Sequence, residues 1–233
     1  MARHPTAHRV HREQVAPDDV FLEGALKTSA FVQENRRLLI SAVITVVVLG
    51  MLLFVWRNNT RRLSELAATE VLTVRQTAQS GNPALTIRDS EAFLDRFEST
   101  PSAVEAKLLL GQAYLESNQA QPAIDAVSDL AGDLSTPSGV SAAMLTAAAH
   151  ESAARFDEAE RILLRVADRA EFVYQKTAAL DNAARIRLER GQPAGAAELY
   201  DRILTLLPAD SQDRPIFEMR RAEARAAAAT GSS

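Results

Sequence analysis

Two hydrophobic patterns divide the 233-residue chain. Residues 38–56 read LLISAVITVVVLGMLLFVW, an uncharged run in which only Ser41 and Thr45 are polar. From about residue 65 onward, apolar positions instead recur every three or four residues, the period of helices that bury one face. The first pattern predicts a membrane-crossing helix, because 19 residues at about 1.5 Å each nearly span a hydrocarbon core of about 30 Å. Ser41 and Thr45 are no obstacle, since their hydroxyls can donate to carbonyls of the preceding turn. Arg36 and Arg37 fence one end of the run, and Trp56, Arg57, Arg61 and Arg62 mark the other.

A cleavable leader fits the run poorly: 37 residues precede it, and Arg57-Asn58-Asn59-Thr60 offers no small-residue cleavage site. The helix is expected to stay attached as an anchor. Flanking charge leaves its orientation open, with Lys27, Arg36 and Arg37 on one side against Arg57, Arg61, Arg62 and Arg75 on the other. Residues 1–17 are polar and broken by proline, which predicts disorder. From Asp18 on, Phe21, Leu22, Leu26 and Phe31 have the near-helical spacing of a short amphipathic helix at a bilayer surface. His4, His8 and His11 lie in that arm without a carboxylate cluster and read as solvated residues, not metal ligands.

The breaks in the second pattern fall where helix hairpins need them. Turn signals stand at Ser80-Gly81-Asn82-Pro83, Ser99-Thr100-Pro101, Asn118-Gln119, residues 133–139, Arg155, Gly191-Gln192-Pro193 and Pro208. They enclose helices of about a dozen residues, as in an α-hairpin array. Three second helices align with one another. Ala123, Ala159 and Ala196 hold a small residue; Val127, Leu163 and Tyr200 follow four places on; Leu130, Val166 and Ile203 follow three further. Equivalent positions are 36 and then 37 residues apart.

This pattern resembles the tetratricopeptide repeat, with Leu110, Gly111 and Tyr114 at the family's Leu-Gly-Tyr positions. Departures occur at Lys107, where the family often has tryptophan, at Thr146 in place of leucine, and at His150 and Arg187 in place of tyrosine. A worn earlier unit fits only at Phe93 and Pro101. The fold class expected is therefore all-α: a single transmembrane helix followed by a tetratricopeptide-like solenoid. The divisions are a tail over 1–37, the span over 38–56, a juxtamembrane linker over 57–64, the repeats over 65–228, and a disordered end over 229–233. A last helix from Ile216 to about Ala228 is expected to cap the array.

Composition narrows the chemistry. Alanine and leucine dominate the 47% hydrophobic content and cysteine is absent, which favours helix and excludes thiol chemistry. After residue 56 the chain carries 20 Lys+Arg against 25 Asp+Glu, a balance that repels nucleic acid. No zinc signature, phosphate-binding glycine loop, nucleophile elbow or dinucleotide fingerprint occurs. His150 is the one histidine of the repeat region and has neither nucleophile nor orienting partner in sequence. The reading is of a non-enzymatic module with protein partners and no cofactor, metal, nucleic acid or small-molecule substrate.

The repeat resemblance implies a groove on the concave side of the first helices. Carried over to this chain it comprises Leu108, Gln112 and Leu115; Met144, Ala148 and Glu151; and Asp181, Arg185 and Leu188. Leu108 and Gln112 stand where chaperone-tail-binding members of the family have lysine and asparagine, so a fixed carboxylate ligand is not expected. The order of parts, with Phe31-Val32-Gln33-Glu34-Asn35-Arg36-Arg37, one span, a Trp56-Arg57 exit and worn repeats, resembles the ancillary subunit of the bacterial Sec translocon. That resemblance implies a single-pass protein of the bacterial inner membrane, held in the bilayer by residues 38–56. Its N-terminus would be cytoplasmic and its repeats periplasmic, touching the translocon, exported polypeptides or periplasmic chaperones. A structural tether of another envelope complex, for division or polysaccharide export, is the alternative.

Overall fold

The computed structural model describes residues 36–230, with the side chains of Arg36, Leu39, Ala42 and Val43 excepted. The expected tail and amphipathic helix over residues 1–35, and the last three residues, lie outside the described set. Nine helices make up the described chain: α1 Arg36–Gln79, α2 Pro83–Phe97, α3 Ala103–Glu116, α4 Ala120–Val127, α5 Pro137–Ser152, α6 Phe156–Arg169, α7 Val173–Glu189, α8 Pro193–Leu206 and α9 Arg214–Thr230. Two compact units divide between residues 59 and 60.

In the first unit the apolar run lies on α1, and its large side chains are open: Leu38, Phe54 and Trp56 are each about 70% exposed (70%, 71% and 69%). Ser41 Oγ donates to the Leu38 carbonyl and Thr45 Oγ1 to that of Ser41, both at 2.8 Å, the back-bonding of hydroxyls to the preceding turn of a helix. Among the described residues, no helix is long and apolar enough to cross a membrane. Residues 57–64, expected as a linker, are helical and continuous with the rest of α1.

In the second unit the helices pair in sequence order. The last turns of α1 meet α2, where Ala67, Val71 and Val74 bury against Phe93 and Phe97. Then α3 pairs with α4, α5 with α6, and α7 with α8, while α9 packs on α8. Helix starts follow local chemistry. Asn82 and Thr136 accept from the backbone N–H groups of Leu85 and Gly139, each followed by a proline at the first helical position. Pro137 and Gly139 thus belong to the first turn of α5 and not to the loop before it.

The aligned second-helix positions face inward. Ala123, Ala159 and Ala196 are at most 1% exposed, Val127, Leu163, Tyr200, Val166 and Ile203 are buried, and Leu130 is half-buried. Small residues let helix axes approach. At Gly111 a β-carbon would sit 2.9 Å from Val127 Cγ1, so the α3–α4 crossing admits no side chain there. The larger of two buried clusters runs from Val140 to Ala224 and joins the second and third hairpins to α9.

The three hairpins also close alike. Gln119, Arg155 and Gln192 donate their N–H groups to the carbonyls of Tyr114, His150 and Arg187, each at 2.8 Å. The residue before each donor is left-handed: Asn118 at φ 56°, Ala154 at 57° and Gly191 at 69°. This is a Schellman stop, in which asparagine and glycine are at ease and alanine is strained. Ala154→Gly should raise stability by roughly 0.5–1 kcal/mol, since relief of that strain outweighs the added chain entropy. Gly139→Ala should lower it by about 1–3 kcal/mol, because its methyl group would collide with the Asp133 carbonyl, whereas Gly132, with open space around it, should tolerate alanine. Thermal melts of the full chain check all three; a Gly139→Ala melt like that of Gly132→Ala would contradict the tight turn into α5.

Candidate partner-binding groove

The first helices of successive hairpins are not evenly spaced. Backbone segments of α3 and α5 pack together, but α5 and α7 have almost no direct backbone contact. A cleft of about 450 Å³ opens there, within the range of small-ligand sites. Leu163 of α6, buried, lies at its floor. Met144, Ala147 and Ala148 of α5 form one wall, Tyr174 and Ala178 of α7 another, and Gln112 and Leu115 of α3 extend it. Ala147, Ala148 and Ala178 are the small side chains of the lining and leave room where larger ones would narrow the gap.

One ion pair crosses the cleft. Arg185 Nη2 donates to Glu151 Oε2 at 2.8 Å, Nη1 bonds the other Glu151 oxygen, and Nη1 also donates to Glu189 Oε1 at 2.9 Å. The Glu151 hydrogen bond, followed by burial in the opposite sense and the charges of Glu151 and Glu189, raises the Arg185 pKa above its already high value. The guanidinium is thus fully charged and fully matched. Free anions have no unpaired cation to find at this point.

Residues that depart from the repeat pattern have work of their own. Tyr114 reaches back to the preceding hairpin and donates its hydroxyl to Glu91, which pushes its pKa up to about 12. At the same position of the third hairpin, Arg187 donates from Nε to Glu160 at 2.7 Å and from Nη1 to the Gly195 carbonyl at 2.9 Å. A longer, charged side chain makes the backward bond that tyrosine makes in the first. His150 holds this position in the second hairpin, and its Nδ1 has no hydrogen-bond partner among the described residues. Burial first, and then the Arg155 charge, lowers its pKa and keeps the imidazole neutral near pH 7.

Of the positions named from the repeat resemblance, Gln112, Leu115, Met144, Ala148, Glu151 and Arg185 line this one cleft. Leu108 is half-buried on α3 and does not reach it. Asp181 and Leu188 lie elsewhere, beside α9: Asp181 accepts both bonds from Arg220, and Leu188 lines a separate hollow with Tyr200, Arg220 and Ala224. The sequence reading overlooked Tyr174, Gln175 and Asn182, which also line the cleft. Phe172 and Tyr174 stand exposed at the turn between α6 and α7 with ring centroids 5.7 Å apart. Three aromatic or β-branched residues in a row, Phe172-Val173-Tyr174, were the available signal.

Fold and cleft together define an all-α solenoid of tetratricopeptide-like hairpins, an architecture that mediates protein–protein interaction. A family model described as a tetratricopeptide repeat-like domain matches residues 29–134. Two crystal structures of nearly identical TPR-like repeats from a Podosopora anserina kinesin light chain, one carrying a single substitution, are similar to the chain. Each has a TM-score of 0.58 and 19% identity over 72% of this chain, and 89% or 88% of the other. At that identity the likeness extends to the fold alone. No curated protein matches the chain.

Ala148→Trp should fill the cleft without unfolding the domain, because Ala148 is only half-buried and its side chain faces the open space. The melting temperature should stay within about 2 °C of the parent, a change of roughly 0.5 kcal/mol at this size, while binding of a protein partner in the cleft is lost. Binding that persists in a folded Ala148→Trp variant would remove the cleft from the account.

Proposed function

We propose that the chain is an anchored capture module of a bacterial inner membrane, an ancillary factor of the Sec translocon that receives exported chains or periplasmic chaperones. Residues 38–56 cross the bilayer, residues 1–37 remain in the cytoplasm, and the repeats work on the outer side. The observation that carries this reading is the occurrence, in one chain, of an exposed apolar stretch on α1 and a repeat unit whose cleft is apolar and whose lining cation, Arg185, is paired. An apolar surface of that kind needs a covering, and the uncharged run over residues 38–56 of the sequence has the length that suits a bilayer. The family match begins at residue 29, ahead of the run, and takes in the whole of it with the first hairpins.

A translocon helper meets segments that have not folded and still expose apolar side chains. The cleft offers such side chains Leu115, Leu163 and Tyr174, and the unbranched thioether of Met144 adapts to different shapes. Loss of free charge at Arg185 suits varied clients better than one fixed acidic terminus.

Orientation is the step most open to a direct test, because the natural chain has no cysteine to confuse labelling. In cells whose outer layer admits the reagent, a membrane-impermeant maleimide should label Ser232→Cys and spare Thr6→Cys. The reverse labelling would put the repeats in the cytosol and leave a cytosolic membrane-bound adaptor in place of a translocon helper.

A further inference from the structure

The walls of the cleft are apolar, but the groups around its mouth are not balanced in charge. Glu151 and Glu189 share the single guanidinium of Arg185. On the α3 side, Glu116 accepts from the amide of Gln112 at 3.0 Å, a neutral donor that leaves its charge uncompensated. Glu151 and Arg185 line the cleft itself, and Glu189 and Glu116 stand one hydrogen bond behind that lining, through Arg185 and Gln112, so three carboxylates face one guanidinium in this group. The chain beyond residue 56 has the same sign, with 20 Lys+Arg and 25 Asp+Glu.

We propose that this cleft selects polypeptide segments in which an apolar side chain is flanked by lysine or arginine, and turns away segments flanked by aspartate or glutamate. The proposal rests on the cleft being the capture site. An apolar residue enters the gap between α5 and α7, where water is displaced from Leu163, Met144 and Tyr174. A flanking ammonium or guanidinium then meets Glu116 or Glu189 at the rim. A flanking carboxylate meets the same groups with repulsion, and the charge of Arg185 is already shared by Glu151 and Glu189.

Rim pairs of this kind are weak one by one, so the selectivity is a ratio of affinities and not an all-or-none choice. Each flanking charge should change affinity by about three- to fivefold at low ionic strength. The ratio should shrink as salt rises and the screening length falls below about 10 Å. Apolar anchoring, by contrast, should survive added salt. Exported segments with a basic residue next to an apolar stretch have this chemistry, as do many other polypeptides; what identifies the client is the flanking charge.

The experiment uses the full chain in nonionic detergent micelles and three labelled peptides with one common Leu/Phe core, flanked by lysine, serine or glutamate. Fluorescence anisotropy should order them lysine, serine, glutamate from tightest to weakest, with a spread of roughly tenfold that contracts in high salt. Ala148→Trp should abolish binding of all three. Glu151→Gln combined with Glu189→Gln frees Arg185 and should flatten or invert the order. If that double variant melts early, the order among the three peptides on the parent chain still decides.

Equal binding of the three, or tightest binding of the glutamate peptide, would overturn the charge selectivity while the cleft remains the capture site. Binding of none, or binding untouched by Ala148→Trp, would overturn the capture reading and the selectivity with it.

Discussion

Close approach of paired helices at a small residue is the constraint on which the repeat unit depends. Each second helix presents an alanine, Ala123, Ala159 or Ala196, with almost no accessible surface, and Gly111 leaves no room even for a methyl group. With the axes this close, the larger side chain four residues on joins the core shared with the following element, as Leu163 does in the main cluster and Tyr200 does beside Phe217 of α9. The packing therefore propagates from neighbour to neighbour, and each hairpin is stable chiefly through the next. Helix α9 supplies the last contact: its Phe217 ring lies 6.4 Å from that of Tyr200, and Arg221 and Arg225 hold Asp201 below the usual carboxylate range.

Other small residues, Ala147, Ala148 and Ala178, line the cleft. Where α3 meets α5 the backbones pack, but between α5 and α7 these alanines border open space. Function on this account is a local lapse in the packing rule, bordered by Met144 and Tyr174 and steered by a rim on which acid exceeds base. The Glu151–Arg185 pair keeps the opening polar at its edge without leaving a cation free.

Much of the array was legible because its signals are local and redundant. Ala-Leu-Val spacing on the second helices marked buried faces, and Asn82-Pro83 and Gly191-Gln192-Pro193 marked stops that the backbone obeys. The break at residues 170–172 was not legible, because it has neither glycine nor proline. Its stop comes from Ala170, buried in the core, and from the Gln175 side chain, which accepts the Phe172 N–H. With that turn unseen, Tyr174 could not be placed at the cleft. Asp181 and Leu188 show a different limit: a unit-by-unit reading treats the concave face as open, whereas α9 comes alongside the third unit and engages Asp181 through Arg220. Arg187 looked like erosion of the repeat, yet its backward bond to Glu160 does what a tyrosine does elsewhere.

The central claim is that this cleft holds many unfolded clients and not one folded partner. A photocrosslinking amino acid placed at Met144, in full-length protein in living bacterial cells, tests it most directly, because that side chain lines the cleft without being one of its charged groups. The account predicts a ladder of adducts containing numerous newly exported chains together with translocon subunits, reduced when export is blocked. A single discrete adduct with one folded protein, unchanged by an export block, would contradict it.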